Sequence, residues 1–209
     1  MSETLIRSKL ESFSMKTAKD KIYGIDLDGV SVDFISDFSH FLKEYLDISY
    51  EDSEIIDYYW YKCDLGISEN EFWDAFHVYG RKRKGYRKLN PLPGAIPGIK
   101  SLMTEAKDVW FITGRPHYAY EQTVKSLMEH FHIPSDHIIF SSGTDYKSNV
   151  VNRLGIDVFF DDAPHYAQSL VDNTPAKVYL MNTTYNQKVS DERIIRVNGW
   201  ENFIKLEIN

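Results

Sequence analysis

One cysteine, Cys63, is present among the 209 residues. A single cysteine cannot form an internal disulfide, so a secreted scaffold held together by disulfides is excluded and the chain fits a reducing compartment. No histidine lies close to Cys63 in the sequence, and we therefore expect a packed thiol rather than a nucleophile.

Long apolar runs are missing as well. No stretch approaches the roughly 18 consecutive apolar residues that a membrane-spanning helix requires. Charged residues run through the first 21 positions, unlike the apolar segment of a secretory signal. We therefore expect a cytoplasmic protein that has no membrane partner.

A surplus of positive charge is also absent. The 24 Lys and Arg residues stand against 31 Asp and Glu residues, which gives a net charge of −7. Proteins that coat nucleic acid need many cations, so nucleic acid is disfavoured as a partner. A small anionic substrate that is held locally by a metal ion is compatible with this charge. Hydrophobic residues make up 43% of the chain, which is enough to build a core.

Six apolar runs rich in β-branched and aromatic residues recur along the chain, with helix-like stretches between most of them. Several of these runs are continuous rather than alternating, as in strands that are buried on both faces. Alternation of strands and helices predicts an α/β fold, a Rossmann-like three-layer αβα core with a parallel sheet. The predicted strands are 21–26, 108–113, 137–142, 157–162, 177–182 and 193–198.

Residues 31–90 interrupt this alternation. They contain three helical patterns and no strand, which predicts a small helical cap inserted after the first strand. Ser68 and Glu71 form a capping box that marks the start of the third helix. The predicted helices are 31–46, 53–64 and 68–80, and the predicted units are an N-terminal extension (1–20), the α/β core (21–30 and 91–209) and the cap (31–90).

Several polar residues stand where the predicted strands end. Because ligands of open α/β sheets bind outside the carboxyl ends of the strands, we expect these side chains to converge on one edge. Lys147 joins them from just before the helix that precedes the fourth strand. The set is Asp26, Asp28, Thr113, Asp161, Asp162 and Lys147.

Four converging carboxylates would repel one another unless a divalent cation lay among them. Ligands that are all oxygen favour a hard ion, and Mg²⁺ is the usual partner of phosphate substrates. Thr113 and Lys147 could hold the remaining anionic oxygens of a transferring phosphoryl group. The residues alone do not distinguish a nucleophile from a metal ligand.

The order of these motifs resembles that of the haloacid dehalogenase-like phosphatases from residue 21 to the end of the chain. The residues that carry the resemblance are "DLDGV", "FITGR", Lys147 and "FFDD". Within that superfamily the sequence is more closely similar to the 5′(3′)-deoxyribonucleotidases and related bacterial and phage nucleotidases. This closer similarity lies in "DLDGVSVDF", "PLPGA", "NTTYNQ" and "RVNGW".

The resemblance implies a role for each motif residue. Asp26 would be the nucleophile that forms an aspartyl-phosphate, and Asp28 the general acid and then the general base. Mg²⁺ would be bound by the Asp26 carboxylate, the Asp28 carbonyl and one carboxylate of the pair Asp161/Asp162, with Asp162 favoured. Thr113 and Lys147 would bind the phosphoryl oxygens. The implied reaction is hydrolysis of a nucleoside monophosphate, with a deoxyribonucleotide favoured.

Substrate contacts are predicted mainly in the aromatic cap. Phe34 matches a position of the family near the base, and flat rings can stack on a nucleobase. Packing of the cap's own core is the alternative use for these rings. Arg115 could reach the substrate phosphate or pair with a core carboxylate. The candidate substrate-binding residues are Phe34, Trp60, Tyr61, Trp73, Gly114 and Arg115.

The basic run "GRKRKGYRK", residues 80–88, stands out in an acidic chain. It is either a solvated helix end or an anion-attracting lip beside the site. Two alternatives to the nucleotidase therefore stay open: a phosphatase for nucleic-acid 3′ ends or another phosphometabolite, and a catalytically silent nucleotide-binding member of the superfamily. A homodimer is compatible with the sequence.

Overall fold

A computed structural model describes residues 16–141 and 144–208, without the side chains of residues 144 and 145. Most of the predicted N-terminal extension, residues 1–15, lies outside the described residues. Position 142, the last residue of the third predicted strand, also lies outside them.

The core is a six-stranded sheet in which every neighbouring pair of strands is parallel. The strands are β1 (Ile22–Ile25), β2 (Asp108–Thr113), β3 (Ile138–Phe140), β4 (Val158–Asp161), β5 (Lys177–Met181) and β6 (Ile194–Val197). Their order in the sheet is β3-β2-β1-β4-β5-β6, so the chain reverses its direction of winding after β3. This confirms the predicted α/β class.

Helices cover both faces of the sheet, because successive apolar residues of a strand point to opposite faces and both faces must be buried. The helices are α1 (Phe34–Leu46), α2 (Glu69–Arg81), α3 (Ala95–Glu105), α4 (Tyr120–Phe131), α5 (Thr144–Leu154), α6 (Pro164–Asn173) and α7 (Trp200–Glu207). Phe160 points into the apolar cluster shared with α3, α4 and α7, whereas Phe159 points into the cluster shared with α5 and α6. Side chains on a strand alternate between its two faces, so the continuous apolar runs fill both layers.

Two of the three predicted cap helices form, and they begin at strong N-caps. Asp33 accepts a hydrogen bond from the backbone N–H of Ser36 at 3.1 Å at the start of α1. Ser68 N–H donates to Glu71 Oε2 at 2.9 Å in the predicted capping box of α2. Each cap satisfies backbone donors that have no partner inside the helix.

The prediction of a helix over residues 53–64 is wrong. Only two short 3-10 turns form there, at Asp52–Glu54 and Trp60–Lys62. Between them the Asp57 carboxylate accepts a hydrogen bond from Tyr59 N–H at 3.0 Å. Such a local bond gives the backbone an alternative to the helix.

Aromatic residues form the core of the cap. Phe38 is fully buried, and its ring lies 5.2–5.9 Å, centroid to centroid, from six other rings. Packing therefore accounts for much of the aromatic content of the insertion. Within the described ranges, no helix has both the length and the apolar character needed to cross a bilayer.

Candidate active site

The carboxyl ends of three neighbouring strands meet at one edge of the sheet. Asp26 directly follows β1, and its N–H donates to the carbonyl of Phe160 at 2.9 Å, which continues the pairing of β1 with β4. Thr113 ends β2 and Asp161 ends β4. The predicted convergence of these three residues is therefore present, at the kind of edge where α/β proteins bind ligands.

Lys147 joins two of the carboxylates. It lies in the first turn of α5, so the prediction that it stands just before this helix is wrong. Its Nζ lies 2.9 Å from Asp26 Oδ1 and 2.8 Å from Asp161 Oδ2, and its side chain is fully buried. The other oxygen of Asp161 accepts hydrogen bonds from the backbone N–H groups of Asp162 and Ala163, each at 2.9 Å. Both oxygens of Asp161 are therefore already engaged.

Asp162 is arranged differently. The hydroxyl of Tyr185 donates to its Oδ2, and Asn186 Nδ2 donates to its backbone carbonyl at 2.9 Å. Its Oδ1 has no hydrogen-bond partner among the residues that the structure describes. Gly29 makes room for this carboxylate, since it has a φ of +76° and a Cβ at this position would lie 2.1 Å from Asp162 Oδ2.

The carboxylates of Asp26, Asp161 and Asp162 form a buried acidic cluster. One oxygen from each of the three lies within 4.8 Å of the others. Burial raises the pKa of Asp26 to about 7; Lys147 opposes this change, and Asp161 and Asp28 add to it. Burial also raises the pKa of Asp162 well above its usual range. This set of oxygen donors fits a hard divalent cation, which would keep the carboxylates ionised.

Asp28 lies at the mouth of the site in a two-pronged ion pair with Arg115. Arg115 Nε lies 2.9 Å from Asp28 Oδ2, and Nη2 lies 2.6 Å from Oδ1. Arg115 Nη1 donates to Thr123 Oγ1 at 3.0 Å, and the guanidinium lies 4.7 Å from the centre of the Tyr86 ring. Arg115 was expected either to reach the substrate phosphate or to pair with a carboxylate. In this structure it pairs with the carboxylate of Asp28.

Thr113 and Gly114 form the turn that leaves β2. Thr113 is almost fully buried, and its Oγ1 accepts a hydrogen bond from Arg115 N–H at 3.2 Å. Gly114 lies directly beneath the hydroxyl of Tyr166, where a Cβ would come within 2.8 Å of the oxygen. Both residues line the cavity above the acidic cluster.

That cavity has a volume of about 420 Å³ and lies between the sheet edge and the cap. Phe34, Trp60 and Trp73 line it, together with Asp26 and Asp28. Tyr61 does not; its ring packs against Phe72 and Trp73 instead. Lys147 and Asp161 also lie outside the lining, beneath the cavity floor. The lining residues that the sequence did not single out for substrate binding include Tyr58, Tyr59, Phe76, Tyr86, His165, Tyr166 and Tyr185.

A histidine joins the core to the cap at one side of the cavity. The ring of His165 lies 4.7 Å from that of Tyr58, 5.9 Å from that of Tyr59 and 4.3 Å from that of Tyr166, centroid to centroid. Burial lowers the pKa of His165, so the ring is mostly neutral at pH 7. The feature of the sequence that could have indicated His165 is its position three residues after the "DD" pair, at the start of α6.

The basic run lies beside the cavity rather than in its floor. Tyr86 is its buried member and lines the cavity. Arg87 pairs with Glu129 on α4, and Arg81 lies over the ring of Tyr118 at 4.6 Å. The remaining cations are exposed and form no ion pair with other described residues; they are Lys82, Arg83, Lys84 and Lys88.

The chain is similar to a known protein family and to several known proteins. A family model described as "5′ nucleotidase, deoxy (Pyrimidine), cytosolic type C protein" matches residues 20–208. A Halalkalibacterium halodurans protein with a provisional description as a nucleotidase is 27% identical over 186 residues, covering 89% of this chain and 92% of that protein. A Chlorobaculum tepidum protein provisionally described as a 5′(3′)-deoxyribonucleotidase is 24% identical over 201 residues, covering 90% and 92%.

Solved structures agree on the fold. The crystal structure of a HAD family hydrolase from Deinococcus radiodurans R1, with bound phosphate and sodium, aligns with a TM-score of 0.60. The alignment covers 87% of this chain and 93% of that chain at 13% identity. Similarity at that level of identity concerns the architecture alone.

Proposed function

The chain belongs to the 5′ nucleotidase, deoxy (pyrimidine), cytosolic type C family of haloacid dehalogenase-like hydrolases, and from this premise we propose that it is a Mg²⁺-dependent phosphomonoesterase acting on nucleoside monophosphates. Deoxyribonucleotides are the preferred substrates in this proposal. A cytoplasmic location, in keeping with the single cysteine, is part of it.

One observation carries the proposal. Asp26 is buried at the end of β1 with one oxygen fixed by Lys147, while its Oδ2 has no hydrogen-bond partner in the described part of the chain. The same residue lines a 420 Å³ cavity with aromatic walls. A carboxylate that is fixed on one side and open on the other is suited to attack a bound phosphoryl group.

The proposed reaction uses these positions as follows. Asp26 attacks phosphorus, and the bond from phosphorus to the ester oxygen breaks. Asp28, protonated in the substrate complex, gives its proton to the ester oxygen, and the nucleoside leaves with that oxygen as a hydroxyl. Asp28 then removes a proton from the water that attacks the aspartyl-phosphate, and phosphate leaves with Asp26 restored. Arg115 holds both oxygens of the ionised Asp28 and so orients it for the base step; in the acid step one of these oxygens carries the proton instead of accepting from Arg115.

Asp26 and Asp162 are the side chains that would hold Mg²⁺, together with the Asp28 carbonyl. Asp162 is favoured over Asp161 because both Asp161 oxygens are engaged by Lys147 and by backbone N–H groups. When bound, the ion supplies positive charge that offsets the charge of the phosphoryl group.

The cavity walls suit a nucleoside. Phe34, Trp60 and Trp73 line the cavity with apolar ring atoms, and the neutral His165 ring adds to this lining. Aromatic stacking tolerates different bases. The walls therefore support the nucleotide class more strongly than the choice of base.

The proposal is tested by measuring phosphate release from 5′- and 3′-monophosphates of ribo- and deoxyribonucleosides. We expect release that EDTA abolishes and added Mg²⁺ restores. Asp26→Asn should lower kcat by at least about a thousandfold because the nucleophile is lost. Asp64→Asn, which changes an exposed carboxylate in the cap, is the matched control and should retain wild-type activity. Equal activity of Asp26→Asn and wild type would contradict the mechanism.

A second candidate, a phosphatase for nucleic-acid 3′ ends, is favoured by one observation. The exposed cations Lys82, Arg83, Lys84 and Lys88 lie on the segment that places Tyr86 in the cavity wall. Oligonucleotides with a 3′-phosphate belong in the same assay. If their kcat/KM exceeds that of every mononucleotide and falls steeply with salt, this candidate replaces the first.

A further inference from the structure

Tyr166 lies between the cavity and the buried lysine of the site. It is the third residue of α6, which begins just after the "DD" pair, and it lines the cavity. The centre of its ring is 4.0 Å from Lys147 Nζ. This distance places the ammonium group against the ring, in the range of a favourable cation–π contact.

Lys147 is enclosed as a result. Its ammonium group has three N–H donors, and Asp26 and Asp161 accept from it at 2.9 and 2.8 Å. The Tyr166 ring lies against the group, and the Lys147 side chain has no exposed surface. In this arrangement Lys147 fixes Asp26 but offers no open donor to a substrate in the cavity.

The hydroxyl of Tyr166 does offer an open hydrogen-bond donor to the cavity. It lies over Gly114, where a Cβ would approach it to 2.8 Å. Gly114 follows Thr113, which lines the cavity beside Asp26. The hydroxyl has no hydrogen-bond partner among the described residues, although its ring is held in place by Lys147 and by His165, whose ring lies 4.3 Å away.

We propose that the Tyr166 hydroxyl donates a hydrogen bond to a phosphoryl oxygen of the substrate, and that its ring holds Lys147 on Asp26. The inference rests on the proposed function, because it concerns the phosphate of the same reaction. A phosphoryl group within reach of Asp26 and Thr113 lies beside Gly114, where the hydroxyl is. Tyr166 is then a catalytic residue through its oxygen and a positioning residue through its ring.

Tyr166→Phe separates the two roles because it removes the oxygen and keeps the ring. We expect it to lower the affinity for inorganic phosphate by about tenfold, as for the loss of a hydrogen bond to a charged group. Calorimetric titration of wild type and variant with phosphate in the presence of Mg²⁺ measures this. The thermal unfolding midpoint of Tyr166→Phe should match that of wild type.

Tyr146→Phe is the matched control. Tyr146 is 48% exposed and directly precedes Lys147 in α5. The same loss of a hydroxyl there should leave phosphate affinity unchanged. Tyr166→Leu, which also removes the ring, should lower kcat beyond the effect of Tyr166→Phe, because Lys147 loses a fixed neighbour.

The outcomes separate this inference from the proposed function. If Tyr166→Phe binds phosphate as wild type does and has the same kcat/KM, the donor role is overturned. If wild type releases no phosphate from any nucleotide, the proposed function fails, while phosphate binding still decides whether Tyr166 is a donor to that anion. A tenfold loss of binding in Tyr166→Phe but not in Tyr146→Phe supports the inference.

Discussion

Arg115 holds the carboxylate of Asp28 by two parallel hydrogen bonds, from Nε at 2.9 Å and from Nη2 at 2.6 Å. The guanidinium is itself fixed, by Thr123 on one edge and by the ring of Tyr86. Because such a fork sets both the position and the plane of a carboxylate, the proposed acid and base has a defined orientation before substrate arrives.

Arg115→Lys should therefore impair catalysis more than binding. A lysine keeps the charge but cannot form the fork or stack its flat face on Tyr86. We expect kcat to fall about 10- to 100-fold, the range that a displaced catalytic group costs, with a smaller change in KM. Steady-state kinetics on the best nucleotide substrate measure both values.

Arg87→Lys is the control for this experiment. Arg87 pairs with Glu129, whose side chain is 57% exposed, and surface pairs of this kind contribute little. Its kcat should equal that of wild type. If Arg115→Lys also retains wild-type kcat, the fork does not position Asp28 for the reaction.

Strand positions could be predicted from the sequence because a buried parallel strand has a distinctive apolar run. Residues 108–113 were predicted as a strand and form β2 with the same bounds. The cap segment 53–64 could not be predicted in this way. Its helical pattern of apolar residues competes with the Asp57 side chain, which bonds to the backbone of Tyr59.

The candidate site was predictable only in part, for a related reason. Asp26, Thr113 and Asp161 are brought together by strand ends, and strand ends can be read from the pattern. The partner of Arg115 cannot be predicted from the sequence pattern. Asp28 is 87 residues away, and the contact depends on how both side chains pack. The same holds for the Tyr166 ring over Lys147, which depends on where α5 and α6 lie on the sheet.

Substitution of the two adjacent aspartates should have different consequences. Asp162→Asn is expected to raise the Mg²⁺ concentration for half-maximal activity at least tenfold, because a charged oxygen ligand is lost. Asp161→Asn should instead lower the thermal unfolding midpoint, because Lys147 loses a buried partner. Metal titrations and thermal unfolding of both variants check this. A larger Mg²⁺ effect from Asp161→Asn would reverse the assignment.

Gly29→Ala should displace the Asp162 carboxylate by direct steric contact. A Cβ on Gly29 would lie 2.1 Å from Asp162 Oδ2, so the carboxylate must move. Gly66→Ala is a close control, since Gly66 also has a positive φ, +69° against +76° for Gly29, but no atom lies within 4 Å of its Cβ position. Both variants carry the backbone cost of about 1–2 kcal/mol. Only Gly29→Ala should also weaken Mg²⁺ activation, and equal metal dependence of the two variants would contradict this.

Glu207, at the end of α7, anchors a polar cluster at the opposite end of the sheet. Its fully buried carboxylate accepts hydrogen bonds from Lys21 and Lys177 at 2.8 Å each, from Tyr179 at 2.6 Å and from Tyr23 at 3.1 Å. Burial acts to raise the pKa of Glu207, but the hydrogen bonds from Lys177, Lys21 and Tyr179 outweigh it, so the pKa lies below the ordinary 4.5.

A lowered pKa means that the folded state favours the ionised carboxylate. The stabilisation is therefore fully present above pH 4.5, the ordinary value, and is lost as the pH falls through the lower pKa of the folded state. Glu207→Gln removes the charge at nearly constant volume. We expect it to lower the free energy of unfolding by about 2 kcal/mol at pH 7, as for hydrogen bonds to a charged group.

Urea unfolding of wild type and Glu207→Gln between pH 3 and pH 8 checks this expectation. The difference between the two should be constant above about pH 5 and should shrink at lower pH, because the wild-type carboxyl is then protonated and resembles the neutral amide. Glu192→Gln, at an exposed position before β6, should show no such difference at any pH. A Glu207→Gln effect that stays constant down to pH 3 would mean that shape, rather than the charge of Glu207, stabilises this end of the sheet.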